Sequence, residues 1–385
     1  MTRAAITGWG KCMPPAVLTN ADLATFLDTD DAWITQRTGI QQRRISHVLG
    51  SELSYVAAKR ALACAGLAAK DLDLVVYGSC SSEEVVPNTA SAVQYRLGAW
   101  NAGAMDVNTA CTSFLYGLST ANGLIRAGSV RNALVVGVEN ISPFMDWDNR
   151  GVAVLFGDGC AAVVLQATGD GDDTGLVADK LGCYADSRQI LRVRGHGTTY
   201  SNREVTYGDT AWDFDGQEIF KRAVHGMGSA AADVLARAGV TPDDVHLCVP
   251  HQANLRIIEF VAKRAGIPME RVFLTVRKYG NMSSATVPVA LVEALEEGRV
   301  APRSLLLMPA FGAGLTFCAH LVRFGERVTP IDTVDVELPP CDKTALQLVN
   351  ELRALKKNRS RSAKGLAGPI FPETQAVLAG STAVA

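Results

Sequence analysis

Ala61-Leu62-Ala63-Cys64-Ala65-Gly66-Leu67, running on to Asp71-Leu72-Asp73-Leu74-Val75-Val76, returns without gaps as Val234-Leu235-Ala236-Arg237-Ala238-Gly239-Val240 to Asp244-Val245-His246-Leu247-Cys248-Val249. Seven of the sixteen positions are identical. Each copy reads as the end of a helix closed by glycine, then a buried-type strand. Arg126-Ala127-Gly128-Ser129-Val130 before one strand is echoed by Glu297-Gly298-Arg299-Val300 before another. Elsewhere helical patterns alternate with strongly apolar strands such as Ala133-Leu134-Val135-Val136-Gly137-Val138-Glu139. This points to an α/β protein, internally duplicated, with sheets buried on both faces.

The offset between the copies, 234 − 61 = 173, has a consequence for the stretch Asp106-Val107-Asn108-Thr109-Ala110-Cys111-Thr112-Ser113-Phe114. Asp106 to Ala110 reads as the end of a strand. From Cys111 onward Phe114, Leu115, Leu118, Ala121, Leu124 and Ile125 recur at helical spacing. A cysteine at a helix N-terminus meets unsatisfied N–H groups and the positive dipole end, which predicts a lowered thiol pKa and a nucleophile. Read alone, Cys111 is equally a small core residue. Shifted by the offset, Cys111 falls on Ser284 inside Gly280-Asn281-Met282-Ser283-Ser284, and Ser79-Cys80 falls on Gln252-Ala253 inside Pro250-His251-Gln252-Ala253-Asn254. Halves related by a pseudo-two-fold axis would bring Cys111, His251 and Asn281 together.

Composition narrows the class. A net charge of −2 over 385 residues gives no reason to expect nucleic acid or a membrane surface as partner. Nine cysteines without a CxxC pair, and no signal-peptide pattern, lead us to expect reduced thiols in a cytoplasmic enzyme. No apolar run approaches the roughly 20 residues of a membrane span. The histidines lack metal-ligand spacing, and Gly157-Asp158-Gly159 is a turn rather than a nucleotide cradle, so neither a metal nor a resident cofactor is expected. After Phe324-Gly325 the character changes. Glu326 to Pro340 reads as extended, Ala345 to Lys357 as an amphipathic helix, and Arg359 to Lys364 as a flexible basic linker. The expected organisation is 1–170, an N-terminal half with the nucleophile; 171–325, a C-terminal half with His251 and Asn281; and 326–385, an extension.

Cys, His and Asn suit acyl chemistry. A thiolate can hold an acyl group as a thioester, while neutral His and Asn donate to an oxygen that gains charge. Asn108-Thr109-Ala110-Cys111, Pro250-His251-Gln252-Ala253-Asn254-Leu255-Arg256, Gly280-Asn281-Met282-Ser283-Ser284-Ala285-Thr286-Val287-Pro288 and Phe311-Gly312-Ala313-Gly314 resemble the ordered motifs of β-ketoacyl-ACP synthase III. Trp33-Ile34, Arg37-Thr38-Gly39-Ile40 and Arg43-Arg44-Ile45 resemble its N-terminal signature. The resemblance covers roughly residues 1 to 325.

That resemblance implies the thiolase-like five-layer αβαβα fold, a homodimer, and a decarboxylating condensation of an acyl-CoA primer with malonyl-ACP. Cys111 would carry the acyl group. His251 and Asn281 would stabilise the malonyl enolate, and the backbone N–H groups of Cys111 and Ala313 would form the oxyanion hole. Ala313 stands where many relatives have Gly, which is harmless if its backbone suits a non-Gly residue. Trp33, Arg37, Arg150 and Asn254 would bind CoA or orient its site. Lys221, Arg256, Lys263 and Arg264 would receive the acidic acyl carrier protein. Val86 stands where acetyl-specific relatives carry a bulky aromatic, so a medium-chain primer is expected to fit. His196 to Asp215 reads as a long polar lid or rim.

Among cousins with related sites, a thiolase would need a second cysteine near Ala310-Phe311-Gly312, and an elongating synthase a histidine where Asn281 stands. A type III polyketide synthase would carry a proline in the glycine loop. A secondary-metabolite condensing enzyme or an acyltransferase of the same family would keep all three residues and is the alternative reading.

Overall fold

The structure, a computed structural model, describes residues 2–169, 171–200 and 210–362. The first sheet has five strands in the order Ala4–Cys12, Gly159–Ala167, Asn132–Glu139, Leu74–Gly78, Gly103–Val107. The second runs Gly175–Cys183, Thr316–Arg323, Leu305–Gly312, Leu247–Cys248, and a parallel bridge from Cys248 to Val272 stands in the fifth place. Parallel and antiparallel pairings follow the same order in both sheets.

The offset of 173 read from the sequence holds residue for residue through the middle of each half. Leu74 matches Leu247, and Asn132–Glu139 matches Leu305–Gly312. The left-handed caps Gly66 and Gly239 match, as do the 3-10 turns Ala110–Thr112 and Ser283–Ala285 and the helix starts Ser113 and Thr286.

Five layers result. Helices Gly50–Ala65 and Thr89–Leu97 cover the outside of the first sheet, and Gly216–Ala238 and Leu255–Ala265 cover the outside of the second. Between the sheets lie Ser113–Arg126 and Thr286–Glu296. Phe114, Leu115, Leu118 and Val287, Ala290, Leu291 share one core with Val76 and Val135 of the first sheet and Leu306 and Met308 of the second. A helix walled by two sheets must be apolar all round, and Thr286–Glu296 is buried at all but its final residue, Glu296. Close layering also explains the glycines of the first strand. A Cβ on Gly8 would meet Ala61 O at 2.2 Å and one on Gly10 would meet Ala57 O at 2.6 Å.

Three expectations need revision. The nucleophile strand ends at Val107 and the helix begins at Ser113, with a 3-10 turn between them. Asn20, expected from its residue type to cap the helix running to about Leu27, is instead the first residue of that helix, and Thr19 is the cap, in a reciprocal pair with Asp22. The final helix runs Ala345–Ser362, so the basic segment from Arg359 to Ser362 is helical; no Gly or Pro interrupts it before Gly365. Ala363 and Lys364 lie outside the described residues. Of the loop expected at 196–215, residues 201–209 also lie outside them, while Ala211–Phe214 pairs with Leu191–Arg194 as a two-stranded ribbon. No helix among the described residues is long and apolar enough to cross a membrane.

Candidate active site

Cys111 sits on a turn built by small polar side chains. Asn108 Oδ1 accepts from Ala110 N at 3.3 Å, and Ser113 Oγ accepts from Thr109 N at 2.9 Å while donating to Ala110 O at 2.7 Å. Thr112 Oγ1 donates to Thr109 O at 2.8 Å. These bonds hold Ala110 at φ 53°, a left-handed conformation that an L-residue adopts only under constraint. The result aims Cys111 into the space between the halves. Ser283 and the backbone at Cys111 and Ala313 lie close enough to its Sγ to favour the thiolate. Gly312 makes the approach possible, since a Cβ there would stand 2.7 Å from Cys111 N. Ala313 has an ordinary negative φ, so the non-Gly residue is accommodated.

The expected lowering of the Cys111 pKa is not found. Burial pushes the thiol up to about 12, and the Glu139 carboxyl adds to the rise against the hydrogen bonds that oppose it. The local helix terminus is outweighed by desolvation. Cys111 therefore rests as a neutral thiol.

His251 follows the strand Leu247–Cys248, its N–H donating to Pro309 O at 2.9 Å. Gln252 locks the loop: its amide donates to Pro250 O and Phe273 O, and its carbonyl accepts from Thr275 N and Val276 N. Burial pulls the His251 pKa down to about 3, so the imidazole is neutral. Its Nδ1 lies 2.6 Å from Thr286 Oγ1, and Thr286 also reaches Ser283 O at 2.9 Å. One hydroxyl hydrogen cannot serve both. Turned to Ser283 O, it leaves the proton on Nδ1 and makes Nε2 a base; turned to Nδ1, it makes Nε2–H a donor. Asn281 is 6% exposed, and its Oδ1 accepts from Ser283 N at 2.8 Å, which leaves the Nδ2 donors for the site. Cys111, Asn281 and, through Thr286, His251 thus meet around Ser283, itself held at φ 46°.

Two parts of this arrangement were not anticipated from the sequence. One is the Ser283–Thr286 relay. The other is Glu139, fully buried, which accepts from Ser79 Oγ (3.2 Å), Ser81 Oγ (2.6 Å), Cys80 N (3.1 Å), Cys80 Sγ (3.3 Å) and Ser284 N (3.4 Å). Burial raises its pKa. A carboxylate closing the otherwise apolar run Ala133–Val138 is the signal that could have found it.

Trp33 stands apart from this centre, on the helix Asp31–Thr38 capped by Asp30. The guanidinium of Arg37 lies 4.4 Å and that of Arg150 4.7 Å from its ring centre. An indole flanked by two cations suits an aromatic base that carries phosphates. Asn254 caps the helix Leu255–Ala265 and donates to Arg37 O at 3.0 Å, so it connects the histidine loop to this platform. Lys221, Arg256, Lys263 and Arg264 are exposed on two adjacent outer helices around the half-exposed Phe260, although Lys221 is paired with Glu218 and Arg264 lies across Gly228. Val86 is 81% exposed on the loop before Thr89–Leu97. Among the described residues no three His, Cys, Asp or Glu side chains come together to hold a metal ion.

A cysteine on a strained turn between two copies of one α/β unit, facing a neutral His and an Asn from the second copy, defines a thiolase-like condensing enzyme. More narrowly, the chain belongs to the β-ketoacyl-ACP synthase III family. Residues 105–185 match the family described as 3-oxoacyl-[acyl-carrier-protein (ACP)] synthase III, and residues 235–324 match its C-terminal part. The β-ketoacyl-[acyl-carrier-protein] synthase III 2 of Vibrio cholerae is 52% identical over 348 residues, 90% of this chain and 96% of that one. The 3-oxoacyl-[acyl-carrier-protein] synthase III structure from Aquifex aeolicus superposes with a TM-score of 0.78 at 39% identity, covering 83% of this chain and all of the other. The priming β-ketosynthase of the R1128 polyketide pathway does so at 0.79 and 32% identity, covering 84% and 96%. The Aquifex chain is thus spanned completely by part of this one, and the remainder of this chain has no counterpart in it.

Proposed function

We propose that this enzyme initiates fatty acid synthesis by condensing an acyl-CoA primer, acetyl to medium-chain, with malonyl-ACP. The observation that carries the reading is the convergence of Cys111, the neutral His251 and Asn281 on the Ser283–Thr286 turn, with Gly312 packed against Cys111 N. In the first step Sγ attacks the primer carbonyl and the C–S bond forms. The N–H groups of Cys111 and Ala313 receive the oxyanion, and CoA departs as the thiol with the proton that left Cys111, passed through His251 Nε2. In the second, the malonyl C–C bond breaks, CO2 leaves, and the electron pair becomes an enolate whose oxygen accepts from His251 Nε2–H and Asn281 Nδ2. The enolate carbon then attacks the acyl-Cys111 carbonyl, and the Cys111 thiolate leaves and is reprotonated. Both steps use a neutral histidine, as base and then as donor, which the mobile Thr286 hydrogen permits.

Acyl-CoA and acyl carrier protein are the substrates. Trp33, Arg37 and Arg150 take the CoA nucleotide, with Asn254 holding Arg37; Lys221, Arg256, Lys263 and Arg264 receive the carrier protein. A homodimer is supported by the free outer edge of Gly103–Val107, a partly exposed strand beside fully buried ones, and by the exposed Val85 and Val86. Halves bounded near 170 and 325 are supported by the last strand of the first sheet ending at Ala167 and that of the second at Arg323. Likeness to a polyketide priming synthase favours, as a second reading, a condensing enzyme of a specialised pathway. Intact-mass measurement after incubation with acetyl- to octanoyl-CoA tests the first step: an acyl adduct forms on the wild type and not on Cys111→Ser. No adduct with any primer would end this reading. Adding malonyl-ACP must then yield 3-oxoacyl-ACP; transfer without condensation would make the protein an acyltransferase.

A further inference from the structure

The chain beyond the last family-matched residue, 324, crosses back over the first half. Ile331 N donates to Cys64 O at 3.0 Å, Arg60 Nη2 donates to Val336 O at 2.9 Å, and His47 Nε2 lies 2.8 Å from Pro339 O. The helix Ala345–Ser362 then buries Ala345 and Val349 in one cluster with Leu18, Leu27, Met145 and Trp147. From it Arg353, with only 19% of its side chain exposed, lies 4.3 Å from the Phe26 ring centre and reaches Asp148 Oδ1 from Nη2 at 2.9 Å and Nε at 3.2 Å. Lys356 Nζ pairs with Asp146 at 2.9 Å.

These partners have a particular position. Phe26 stands two residues before Asp28, and Asp148 two residues before Arg150. Arg150 Nη1 donates to Asp28 O at 2.5 Å while its guanidinium lies over Trp33. Arg150 and Arg353 therefore tie the same two segments together one step apart, Arg353 from the extension. Were Arg353 absent, the Asp148 carboxylate would have no cation of its own. It would then compete for Arg150 and draw it away from the Trp33 face.

We propose that the extension is a strap that holds the acyl-CoA platform in its binding geometry, with Arg353 as a positioning residue acting through Arg150. The proposal rests on Trp33, Arg37 and Arg150 receiving the CoA nucleotide. The test compares Michaelis constants of the full-length enzyme for acyl-CoA and for the matching acyl-pantetheine, which lacks the nucleotide. Arg353→Ala raises the KM for acyl-CoA about five-fold, the scale of a half-buried ion pair stacked on a ring. It leaves kcat within about two-fold and the acyl-pantetheine KM unmoved. Asp148→Asn, at a more exposed position, gives a reading if Arg353→Ala folds poorly; it removes the pair and the competitor together, so its KM stays below that of Arg353→Ala. Arg353→Asp combined with Asp148→Arg recovers most of the loss caused by either alone. An unchanged acyl-CoA KM in Arg353→Ala, or equal rises for both substrates, overturns the strap. Trp33→Ala separates the two ideas: if it too leaves the acyl-CoA KM unchanged, the platform itself is wrong, whereas a rise there without one in Arg353→Ala removes only the strap.

Discussion

The turn that carries Cys111 and the turn 173 residues later are built alike and used differently. Asn108 and Asn281 each accept from the N–H two residues on, Ala110 and Ser283 are both held at positive φ, and a 3-10 turn leads each into a helix. Yet Asn108 is exposed, while Asn281 is buried at the centre. At the matching strand ends, Gly78 occupies the position that His251 holds in the second copy. On the same backbone one half presents a cysteine, and the other presents a histidine and an asparagine. The lesson is that the turn conformation is a scaffold property, and chemistry follows from which copy is enclosed.

The sharpest way to break that comparison is to treat the two asparagines alike. Asn281→Ala removes the donor proposed for the enolate oxygen and is expected to lower malonyl-ACP decarboxylation about 10²–10³-fold, the usual effect of one such donor. Asn108→Ala removes the same local hydrogen bond on the exposed copy, and the rate changes by no more than about two-fold. Decarboxylation can be followed as release of labelled CO2 from malonyl-ACP. Equal losses in the two variants would mean that the turn, not the donor, limits the reaction.

His251 sharpens the contrast with its glycine counterpart through pH. Its pKa is 6.5 as an ordinary histidine and about 3 in the folded protein, so between those values the unfolded chain binds the extra proton. Stability from this group is therefore complete above pH 6.5 and lost as pH falls toward 3. Urea unfolding of the wild type and of His251→Gln should diverge over that window, the wild type losing on the order of 2–3 kcal/mol more between pH 7 and pH 4. Parallel profiles would show that the imidazole is not held neutral by burial.

The repeat, the buried strands and the glycine-capped helices were legible because each is written in local pattern. So was the placement of the Cys111, His251 and Asn281 loops at equivalent points of the two halves, once the offset joined them. The thiol pKa was not, because a helix terminus is visible in sequence whereas the burial that outweighs it exists only once the chain has folded. Glu139 reads as the polar end of a strand until Ser79, Ser81 and Ser284 are seen around it. Arg353 sits on a mostly polar helix, and only the tertiary path of the extension shows that its partner lies beside Arg150.

Ser284, the counterpart of Cys111, offers the smallest and most specific test. It is buried, and its hydroxyl oxygen accepts from Phe114 N at 3.1 Å. Phe114 is the second residue of the helix that follows Cys111, and the Thr112 side chain accepts from none of that helix's N–H groups. An N–H in the first turn has no partner within its own helix. The second half therefore caps the helix that follows Cys111, and among the described residues Cys111 makes no matching bond to the helix that follows Ser284. Ser284→Ala leaves that N–H buried without an acceptor, which should cost about 1–3 kcal/mol in urea unfolding. Acyl-adduct formation on Cys111 should still reach full stoichiometry, because the hydroxyl contacts backbone and not the reacting sulfur. A variant as stable as the wild type would show that water replaces the hydroxyl at Phe114, and that the two halves do not depend on each other at this point.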